Sequence, residues 1–346
     1  MYKGKSVGVV VPAYNEQGLV GRVIETIPTF VDRVYVVDDC STDGTWAEIR
    51  RHATRVDAVS DADTDTEAAI ESDIGVPDGG AVSVRRVVPI RHRRNRGVGG
   101  AIRTGYRCAY ADGVDVTAVM AGDGQMDPDR LARLIDPVVD GSVDYAKGNR
   151  LLYRAHRETM SSWRLFGNGL LTQLTRVASG YWRIGDPQNG YTAISHAALE
   201  TLDLSALYDE YGFVNDLLIR LNAHRLRVAD IAMPAVYGEE RSTIRYAEFV
   251  PKLSALLLRG FLWRLRTKYV HDGVHPLVPS YALGVLAVGS AIVSAIRSLR
   301  SADSTESRVL GAGVAVVATL LGWACLLLGI TFDRWESEAI ELRRDR

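Results

Sequence analysis

Apolar residues in the first 240 positions come in short runs that alternate with longer amphipathic segments. Three runs are continuous, as in strands that are buried on both faces of a sheet, and a fourth is mixed. The runs are Val7–Val11, Val34–Val37, Val116–Met120 and the mixed Val82–Ile90. Helical periodicity follows them over residues 16–27, 44–53, 98–111 and 128–140. The alternation predicts an α/β domain with a mostly parallel sheet over residues 1–240.

Two long uncharged segments follow this domain. Residues 277–296 and 309–332 carry no charged side chain. Twenty helical residues, at about 1.5 Å each, span the roughly 30 Å hydrocarbon core of a bilayer. The segments therefore predict a transmembrane hairpin over 277–332, and buried helices of a soluble domain are the alternative. Two spans would return the tail, 333–346, to the side of residues 1–240, and the N-terminus has no signal-peptide pattern.

The segment between the domain and the hairpin, residues 241–275, contains an amphipathic helical pattern over 246–270. Trp263 and Tyr269 suit a lipid headgroup layer, and the pattern predicts a helix that lies on the membrane surface. A helix packed on the globular domain is the alternative. The basic cluster favours a cytoplasmic location for residues 1–240. The cluster consists of Lys252, Arg259, Arg264, Arg266 and Lys268.

Composition excludes several classes of protein. The chain has 41 basic and 42 acidic side chains, so it is no nucleic-acid binder that works through bulk charge. The three cysteines, Cys40, Cys108 and Cys325, lie far apart and form neither a zinc motif nor a disulfide framework. Residues 57–78 carry eight acids and no base, which indicates a solvated surface insertion that the arginines of 91–96 would balance.

The unusual residues stand at the predicted strand ends, where parallel sheets bind ligands. Tyr14 and Glu16 follow the first strand in Val-Pro-Ala-Tyr-Asn-Glu, and Asp38 and Asp39 follow the second in Val-Asp-Asp-Cys-Ser-Thr-Asp-Gly-Thr. An aromatic wall and carboxylate acceptors are the groups that a nucleoside needs. Asp43, further along, is typical of a helix cap.

Oxygen ligands follow the fourth strand. Asp123, Gln125 and Asp127 alternate in a turn and suit Mg²⁺ or Mn²⁺, with a substrate diphosphate completing the shell. The alternative for Asp127 is a helix cap. The glycine-rich helix start at 97–100 could approach a phosphate, although its spacing is not that of a dinucleotide fingerprint.

Together these loops resemble the inverting family-2 glycosyltransferases of GT-A fold, and among them the dolichyl- or polyprenyl-phosphate hexosyltransferases. The resemblance covers roughly residues 5–240 and implies a Rossmann-like, mostly parallel catalytic domain. The hairpin matches members that carry C-terminal membrane helices. The motifs are Pro-Ala-Tyr-Asn-Glu, Val-Asp-Asp-x-Ser-x-Asp-Gly-Thr, Asn95-Arg96-Gly97 and Asp123-Gly-Gln125, in the family's order.

The resemblance also implies roles for single residues. Asp123 and Gln125 would hold Mg²⁺ or Mn²⁺. Arg150 and Arg164 would bind the acceptor phosphate, and with Asp123 they would be the catalytic residues. The residues implied for the nucleotide sugar are Pro12, Ala13, Tyr14, Glu16, Asp38, Asp39, Asp123 and Arg241.

Other positions match or depart from the family pattern. Asp186 and Gly190-Tyr191 match an Asp…Gly-Phe segment, and Asp216 resembles an acidic position that acts as base in relatives with hydroxyl acceptors. Ala121 stands where the family usually has a carboxylate, so Asp127 or the diphosphate would supply the missing metal ligand.

The implied reaction is the inverting transfer of a hexose from a nucleotide sugar to dolichyl or polyprenyl phosphate, with UDP-glucose the first choice and GDP-mannose the second. The partners would be the nucleotide sugar, the lipid phosphate and the bilayer. The hairpin would also allow a homo-oligomer to form. One alternative is a processive polysaccharide synthase, although the chain has no Gln-x-x-Arg-Trp motif. Another, suggested by Ala121, is an inactive membrane-tethered module that binds nucleotide sugars.

Overall fold

The computed structural model describes residues 1–61, 86–152, 162–233, 246–270, 274–300 and 305–344. Most of the acidic insertion, part of the connector between the two hairpin segments (residues 297–308) and Arg241 lie outside these residues. The strands are β1 (Val7–Ala13), β2 (Arg33–Asp38), β3 (Val87–Arg91), β4 (Val116–Val119), β5 (Tyr145–Asn149), β6 (Thr192–Ser195), β7 (Val228–Ala232) and β8 (Glu341–Arg344).

The helices of the α/β domain lie between these strands, and three long helices follow β7. They are α1 (Val20–Thr26), α2 (Thr45–Asp61), α3 (Gly97–Ala111), α4 (Leu131–Val139), α5 (Ser162–Ser179), α6 (His196–Thr201), α7 (Phe213–Ala223), α8 (Tyr246–Tyr269), α9 (Leu277–Arg300) and α10 (Thr305–Glu338). Short 3₁₀ turns occur at Pro128–Arg130, Arg150–Leu152 and Leu204–Ala206.

The eight strands form one sheet in the order β3-β2-β1-β4-β6-β5-β7-β8. Every neighbouring pair is parallel except those of β6, which runs antiparallel to β4 and β5. The predicted α/β class with a mostly parallel sheet is therefore confirmed. Three predicted strands occur in place, and β1 runs two residues further than its apolar run. The fourth, predicted over Val82–Ile90, is a strand from Val87 to Arg91, and residues 82–85 lie outside the described residues.

Helices cover both faces of the sheet, which explains why the strands are continuous apolar runs. One face packs against α1, α2 and α4 through residues such as Ile24, Ile49 and Leu134. The other packs against α3, α6 and α7, with Tyr106 and Leu217 among its buried residues. In such a sheet, ligands bind at the carboxyl ends of the strands.

Helix α8 packs on the domain through its apolar face. Leu253 and Leu257 lie in one cluster with Ala178 of α5 and Ile219 of α7. The predicted helix is therefore present. It packs on the globular domain, which was the alternative to a helix that lies only on the membrane surface. Contact of its outer face with a membrane stays a prediction, and that face exposes the apolar residues Val250, Leu258, Leu262 and Trp263.

The predicted basic complement of this helix is wrong for two of its five members. Arg264 is fully buried and Lys268 is only 8% exposed, because both point inward. Burial and the nearby charge of Arg264 lower the pKa of Lys268 to about 7. Neither side chain therefore contributes a positive charge to the outer surface of α8.

The hairpin helices α9 and α10 are in backbone contact. A Cβ on Gly322 would lie 3.0 Å from the backbone nitrogen of Val288, and one on Gly284 would lie 3.0 Å from the carbonyl oxygen of Gly322. Both residues can only be small at this crossing.

Their outer faces are apolar and exposed. The candidate spans, Leu277–Ser298 and Val309–Glu338, are 22% and 17% buried over their most apolar windows. Apolar helices in the core of a soluble protein bury most of their surface, so these low buried fractions favour a lipid environment. The second helix continues six residues beyond the predicted end of the span at 332.

The C-terminal tail is not a separate segment. It was predicted as a tail over 333–346, but residues 341–344 form β8, which pairs in parallel with β7. The N–H of Val228 also donates to the carbonyl of Ile340 at 2.9 Å. The chain therefore leaves the domain, passes through the hairpin and returns to close the edge of the same sheet.

Candidate active site

The carboxyl ends of β1, β2 and β4 lie side by side and form the floor of the candidate site. Ala13 of β1 is paired with Asp38 of β2, which is paired in turn with Arg91 of β3. On the other side of β1, the N–H of Gly122 donates to the carbonyl of Pro12 at 3.0 Å. The strand order changes direction between β1 and β4. Open α/β sheets bind ligands at such a switch point.

The loops after β1 and β2 are tied to each other. The N–H of Asn15 donates to Ser41 Oγ at 2.9 Å, and that of Glu16 donates to Thr45 Oγ1 at 2.8 Å. Asn15 has a φ of 57°, the left-handed conformation that Asn tolerates better than most residues. The Tyr14 side chain is left 46% exposed at this turn, where its ring is available for stacking.

The two adjacent carboxylates after β2 are buried beneath the loops. Asp38 is fully buried, its Oδ1 accepts the N–H of Ser41 at 3.1 Å, and its Oδ2 lies 3.0 Å from Arg91 Nε. Asp39 is 2% exposed, and its two oxygens accept the N–H of Arg96 at 2.9 and 3.1 Å. Both carboxylates organise the loops, and their contact with a nucleotide stays a prediction.

A histidine that sequence reasoning missed completes this buried group. His92 follows β3, its Nδ1 lies 2.7 Å from Asp39 Oδ1, and its Nε2 lies 2.9 Å from Thr104 Oγ1 of α3. The sequence held a signal, because parallel neighbours end at the same edge and His92 directly follows β3, the strand beside β2. Arg91 was predicted to balance the acidic insertion, but it turns toward β2 and lies over the ring of Trp46.

The glycines at the start of α3 are covered by protein and do not form an open phosphate site. A Cβ on Gly97 would come within 2.6 Å of the carbonyl oxygen of Asp209, and one on Gly99 within 2.3 Å of that of Tyr208. The N–H of Gly100 donates to the Asp209 carbonyl at 3.0 Å. The glycines thus allow the loop before α7 to pack closely against this helix start. The expectation that a phosphate approaches here was wrong.

Asp123 lies on a tight loop after β4. Gly122 approaches β1 so closely that a Cβ would lie 3.1 Å from the carbonyl oxygen of Pro12, and Gly124 has a φ of +74°. Asp123 Oδ1 accepts the N–H of Gln125 at 3.0 Å. Burial raises the pKa of the Asp123 carboxyl, and the Gln125 N–H opposes that rise. Asp123 is half-buried, so part of the residue remains exposed to solvent.

The donors on this loop fit part of the shell of a divalent ion. Asp123 offers a carboxylate and Gln125 an amide oxygen, and Mg²⁺ commonly takes one or two protein carboxylates plus substrate phosphates. Among the described residues, no three His, Cys, Asp or Glu side chains form a group that could hold a metal alone. Asp127 caps the next turn instead, where it accepts the N–H of Asp129 at 3.0 Å. With Ala121 in place of a carboxylate, the other ligands would have to come from the diphosphate.

Arg150 follows β5 and is held by Asp186 through two parallel hydrogen bonds. Arg150 Nε donates to Asp186 Oδ2 at 2.7 Å, and Nη2 donates to Oδ1 at 2.9 Å. Burial would raise the pKa of Asp186, but the hydrogen bonds and charge of Arg150 lower it below its ordinary value. The pair fixes the plane of a guanidinium that is still 30% exposed.

A fully buried ion pair lies beneath Asp186. Lys147 Nζ donates to the carbonyls of Gly185 and Asp186 at 2.6 and 3.0 Å, and it lies 3.2 Å from Asp230 Oδ1. Asp230 Oδ2 accepts the N–H of Gly185 at 3.0 Å and also the side-chain amide of Asn149. Buried charges are costly unless they are paired and hydrogen-bonded, as these are. Sequence reasoning missed this network.

The loops that carry Asp123 and Arg150 are joined through Tyr191. The Tyr191 hydroxyl donates to the carbonyl of Asp127 at 2.9 Å, and the Tyr191 carbonyl accepts the N–H of Gly148 at 2.9 Å. Burial raises the pKa of the Tyr191 hydroxyl, which therefore stays a donor. The predicted metal loop and the strand that leads to a predicted acceptor arginine are thus connected.

Arg164, Arg241 and Asp216 are the other residues that the family resemblance singles out. The backbone of Arg164 lies in the first turn of α5, but its side chain, like all of Arg241, is outside the described part of the chain. Asp216 is buried in α7, where its Oδ2 accepts from the N–H of Tyr208 at 3.1 Å and from Arg220 Nε at 2.9 Å. Those contacts tie α7 to the loop that covers the start of α3.

The model of the family described as Glycosyl transferase family 2 matches residues 8–67 and 56–203. These ranges contain Asp38, Asp39, Asp123 and Arg150.

Several relatives are named as enzymes of dolichyl phosphate, undecaprenyl phosphate or polyprenol monophosphomannose. The polyprenol monophosphomannose synthase of Mycolicibacterium smegmatis is 30% identical over 275 residues, covering 75% of this chain and 89% of its own. The UDP-N-acetylglucosamine–dolichyl-phosphate N-acetylglucosaminyltransferase of Methanococcus voltae is 28% identical and covers 68% and 87%. The undecaprenyl-phosphate mannosyltransferase of Micrococcus luteus is 29% identical and covers 66% and 83%.

Among solved structures, glucosyl-3-phosphoglycerate synthase from Mycobacterium tuberculosis, in complex with phosphoglyceric acid, is similar with a TM-score of 0.49. It is 20% identical and covers 75% of this chain and 80% of its own.

Proposed function

The chain belongs to glycosyltransferase family 2, among the polyprenyl- and dolichyl-phosphate glycosyltransferases, and from that membership we propose that it transfers a hexose from a nucleotide sugar to a polyprenyl phosphate. The observation that carries the proposal is the Arg150–Asp186 pair beside the Asp123 loop. A guanidinium in a fixed plane suits a phosphate acceptor, and an accessible carboxylate at the strand ends suits the diphosphate end of the donor. Both substrates would meet at one edge of the sheet.

The reaction needs no strong general base, because a polyprenyl phosphate is already an anion at neutral pH. Its oxygen attacks the anomeric carbon, the bond from that carbon to the nucleoside diphosphate breaks, and the single displacement inverts the anomeric centre. The protein must therefore bring two anions together and hold them in line. Asp216, whose carboxylate is tied to Tyr208 and Arg220, is assigned a structural role in this scheme.

The donor would lie along the ends of β1 and β2. Tyr14 offers a ring to the base, and Pro12 and Ala13 line the floor. Glu16 lies on the same loop, and the buried Asp38 and Asp39 hold the neighbouring loops in place. Arg241 is proposed for the diphosphate by family resemblance. We rank UDP-glucose first and GDP-mannose second, and the relatives named for mannose and N-acetylglucosamine keep those sugars in the test.

Asp123 and Gln125 are the residues that would hold Mg²⁺ or Mn²⁺. Such an ion, when bound, neutralises negative charge that develops on the leaving diphosphate. Ala121 leaves the protein with few ligands of its own, so we expect the ion to bind tightly only together with the donor.

We propose that the catalytic domain lies on the cytoplasmic side of a cell membrane, which α9 and α10 span. The return of the chain from α10 to β8 supports placing the domain and the chain's end on one side of the hairpin. In a variant without native cysteines, a cysteine at the exposed Glu200 should resist a membrane-impermeant maleimide added to intact cells. Labelling from outside would contradict this orientation.

A donor screen tests the proposed function. Full-length protein in nanodiscs is given a short polyprenyl phosphate and radiolabelled UDP-glucose, GDP-mannose or UDP-N-acetylglucosamine in turn, and the lipid is extracted into organic solvent. We expect label in the organic phase as a single lipid-linked sugar from one donor. Longer glycans would instead support a processive synthase. Label that never leaves the aqueous phase, with every donor, would contradict the proposal.

Substitution of the two proposed acceptor arginines tests how the lipid phosphate is bound. Arg150→Ala and Arg164→Ala should each raise the apparent KM for polyprenyl phosphate by about tenfold to hundredfold, the worth of one charge-assisted hydrogen-bond pair. Lys at either position should restore the charge but not the paired geometry, and so rescue only partly.

The control for both variants is Arg107→Ala, which removes an exposed arginine of α3. It should leave the KM for the lipid unchanged. Calorimetry with the nucleotide sugar should show near-normal donor binding in the Arg164→Ala protein. Lost donor affinity with an unchanged lipid KM would mean that these arginines serve the other substrate.

A further inference from the structure

The segment that carries Asp186 is held at its far end by the C-terminal strand. Glu341, the first residue of β8, is only 3% exposed. Its Oε1 accepts the N–H of Trp182 at 2.7 Å, and its Oε2 accepts the N–H of Arg183 at 2.6 Å. Each carboxylate oxygen thus takes one of two successive backbone donors. Hydrogen bonds to an ionised acceptor are about twice as strong as neutral ones, so this contact fixes the backbone firmly.

The other end of the same segment is fixed by β7. The N–H of Gly185 donates to Asp230 Oδ2 at 3.0 Å. In the parallel register of β7 and β8, Asp230 is paired with Arg343, two residues after Glu341. Residues 182–186 therefore bridge two adjacent strands, and one of those strands is supplied by the tail that returns from the hairpin.

Asp186 needs such restraint. Its φ of 45° lies in the left-handed region, which is unfavourable for a residue with a side chain and persists only where the surroundings impose it. In this conformation it directs both carboxylate oxygens to Arg150, at 2.7 and 2.9 Å. The orientation of the guanidinium thus depends on the segment that Glu341 restrains.

We propose that Glu341 is a positioning residue for the acceptor phosphate, acting through the backbone of 182–186 on Asp186 and so on Arg150. The inference rests on the proposed acceptor role of Arg150. It assigns a function to a tail strand whose sequence, Glu-Leu-Arg-Arg, looks like an ordinary charged terminus. It also connects the membrane hairpin with the residue that must meet a phosphate at the membrane surface, because β8 directly follows α10.

The first test is Glu341→Gln in the full-length protein. The amide has one oxygen and places an NH₂ group against the second backbone donor, so one of the two bonds is lost. We expect the apparent KM for polyprenyl phosphate to rise by about threefold to thirtyfold, while kcat and nucleotide-sugar affinity change by less than about twofold. Glu341→Asp, which keeps the charge but is one methylene shorter, should give an intermediate KM.

Glu338→Gln is the matched control. Glu338 lies three residues earlier on the same tail and contacts the exposed guanidinium of Arg183, not the backbone. It should leave the KM for the lipid at the wild-type value. If both tail variants raised the KM equally, surface charge near the membrane would explain the effect and the proposal would be wrong.

A double-variant cycle separates this inference from the proposed function. In an Arg150→Ala background, Glu341→Gln should raise the acceptor KM no further, because both changes act on one interaction. Additive effects would overturn the positioning role. So would a Glu341→Gln protein that loses kcat or melts earlier with an unchanged KM, as a purely structural residue would. If Arg150→Ala itself leaves the acceptor KM unchanged, the assignment of the arginine has failed, and the inference falls with it.

Discussion

Asp123→Asn should lower turnover by about a hundredfold to a thousandfold, the usual effect of removing one group that stabilises developing charge. The substitution keeps an oxygen that can accept the N–H of Gln125, now at 3.0 Å from Oδ1, so the loop should keep its shape. It removes the charge that a divalent ion needs. Since burial raises the pKa of this carboxyl, the ionised form is disfavoured in the folded state. The neutral variant should therefore melt at the wild-type temperature or slightly above it.

The measurement is single-sugar transfer to polyprenyl phosphate, with Mg²⁺ or Mn²⁺ added back after treatment with EDTA. Asp129→Ala is the control, since Asp129 is exposed on the same loop. It should retain activity and metal dependence. EDTA should reduce the wild-type rate and have little further effect on Asp123→Asn. If chelation and the variant both leave turnover near wild type, the assignment of Asp123 and Gln125 to a metal is wrong.

The strand ends of this site could be predicted because their signals are local. A buried parallel strand is a continuous apolar run, and the first polar residues after it must stand at the sheet's carboxyl edge. That reasoning placed Asp38, Asp39 and Asp123 at one edge, where the structure has them. It could not show that Asp38 and Asp39 are nearly inaccessible, because burial at a loop depends on what the neighbouring loops cover.

Longer-range contacts had no comparable signal. His92 could have been found from the strand order, but Lys147 and Asp230 become partners only when β5 and β7 pair in parallel across more than eighty residues. The tail strand β8 is further still from β7 and is mostly polar, so nothing in its own pattern predicts pairing. The glycines at 97–100 illustrate a different error. Their sequence correctly indicated that another group approaches the helix start closely, but that group is the protein backbone and not a phosphate.

Helix α8 shows why periodicity alone misplaces charges. Apolar and basic positions alternate along it as they do on a membrane-surface helix, and Arg264 falls among the basic ones. In the structure its five donor hydrogens are all engaged. Nε donates to Ala178 at 2.9 Å, Nη2 to Val177 at 3.1 Å, Nη1 to Asn222 at 3.3 Å, and both Nη atoms to Asp333 at 2.8 Å. The only sign of this pairing in the sequence was Asp333, an acid that directly follows the uncharged segment 309–332.

Arg264→Met should destabilise the full-length protein by about 3–5 kcal/mol, because it leaves Asp333 buried without its charge partner. The Tyr269 hydroxyl, 2.9 Å from Asp333 Oδ1, and the neighbouring Lys268 cannot replace a guanidinium that binds both carboxylate oxygens. Lys should rescue poorly for the same reason. The apparent melting temperature in detergent or nanodiscs measures the loss, and Arg266→Met, at an exposed site two residues on, should have little effect.

The double variant Arg264→Met, Asp333→Leu decides what the pair contributes. Replacing both partners with apolar residues removes the buried charge as well as the attraction, so most of the lost stability should return. The backbone carbonyls of Val177 and Ala178 would still lose a donor, which limits the recovery. Because Asp333 belongs to α10 and Arg264 to α8, protease cleavage between hairpin and domain should increase in Arg264→Met and decrease again in the double variant. If Arg264→Met melts like wild type, the domain and the hairpin are not joined by this pair.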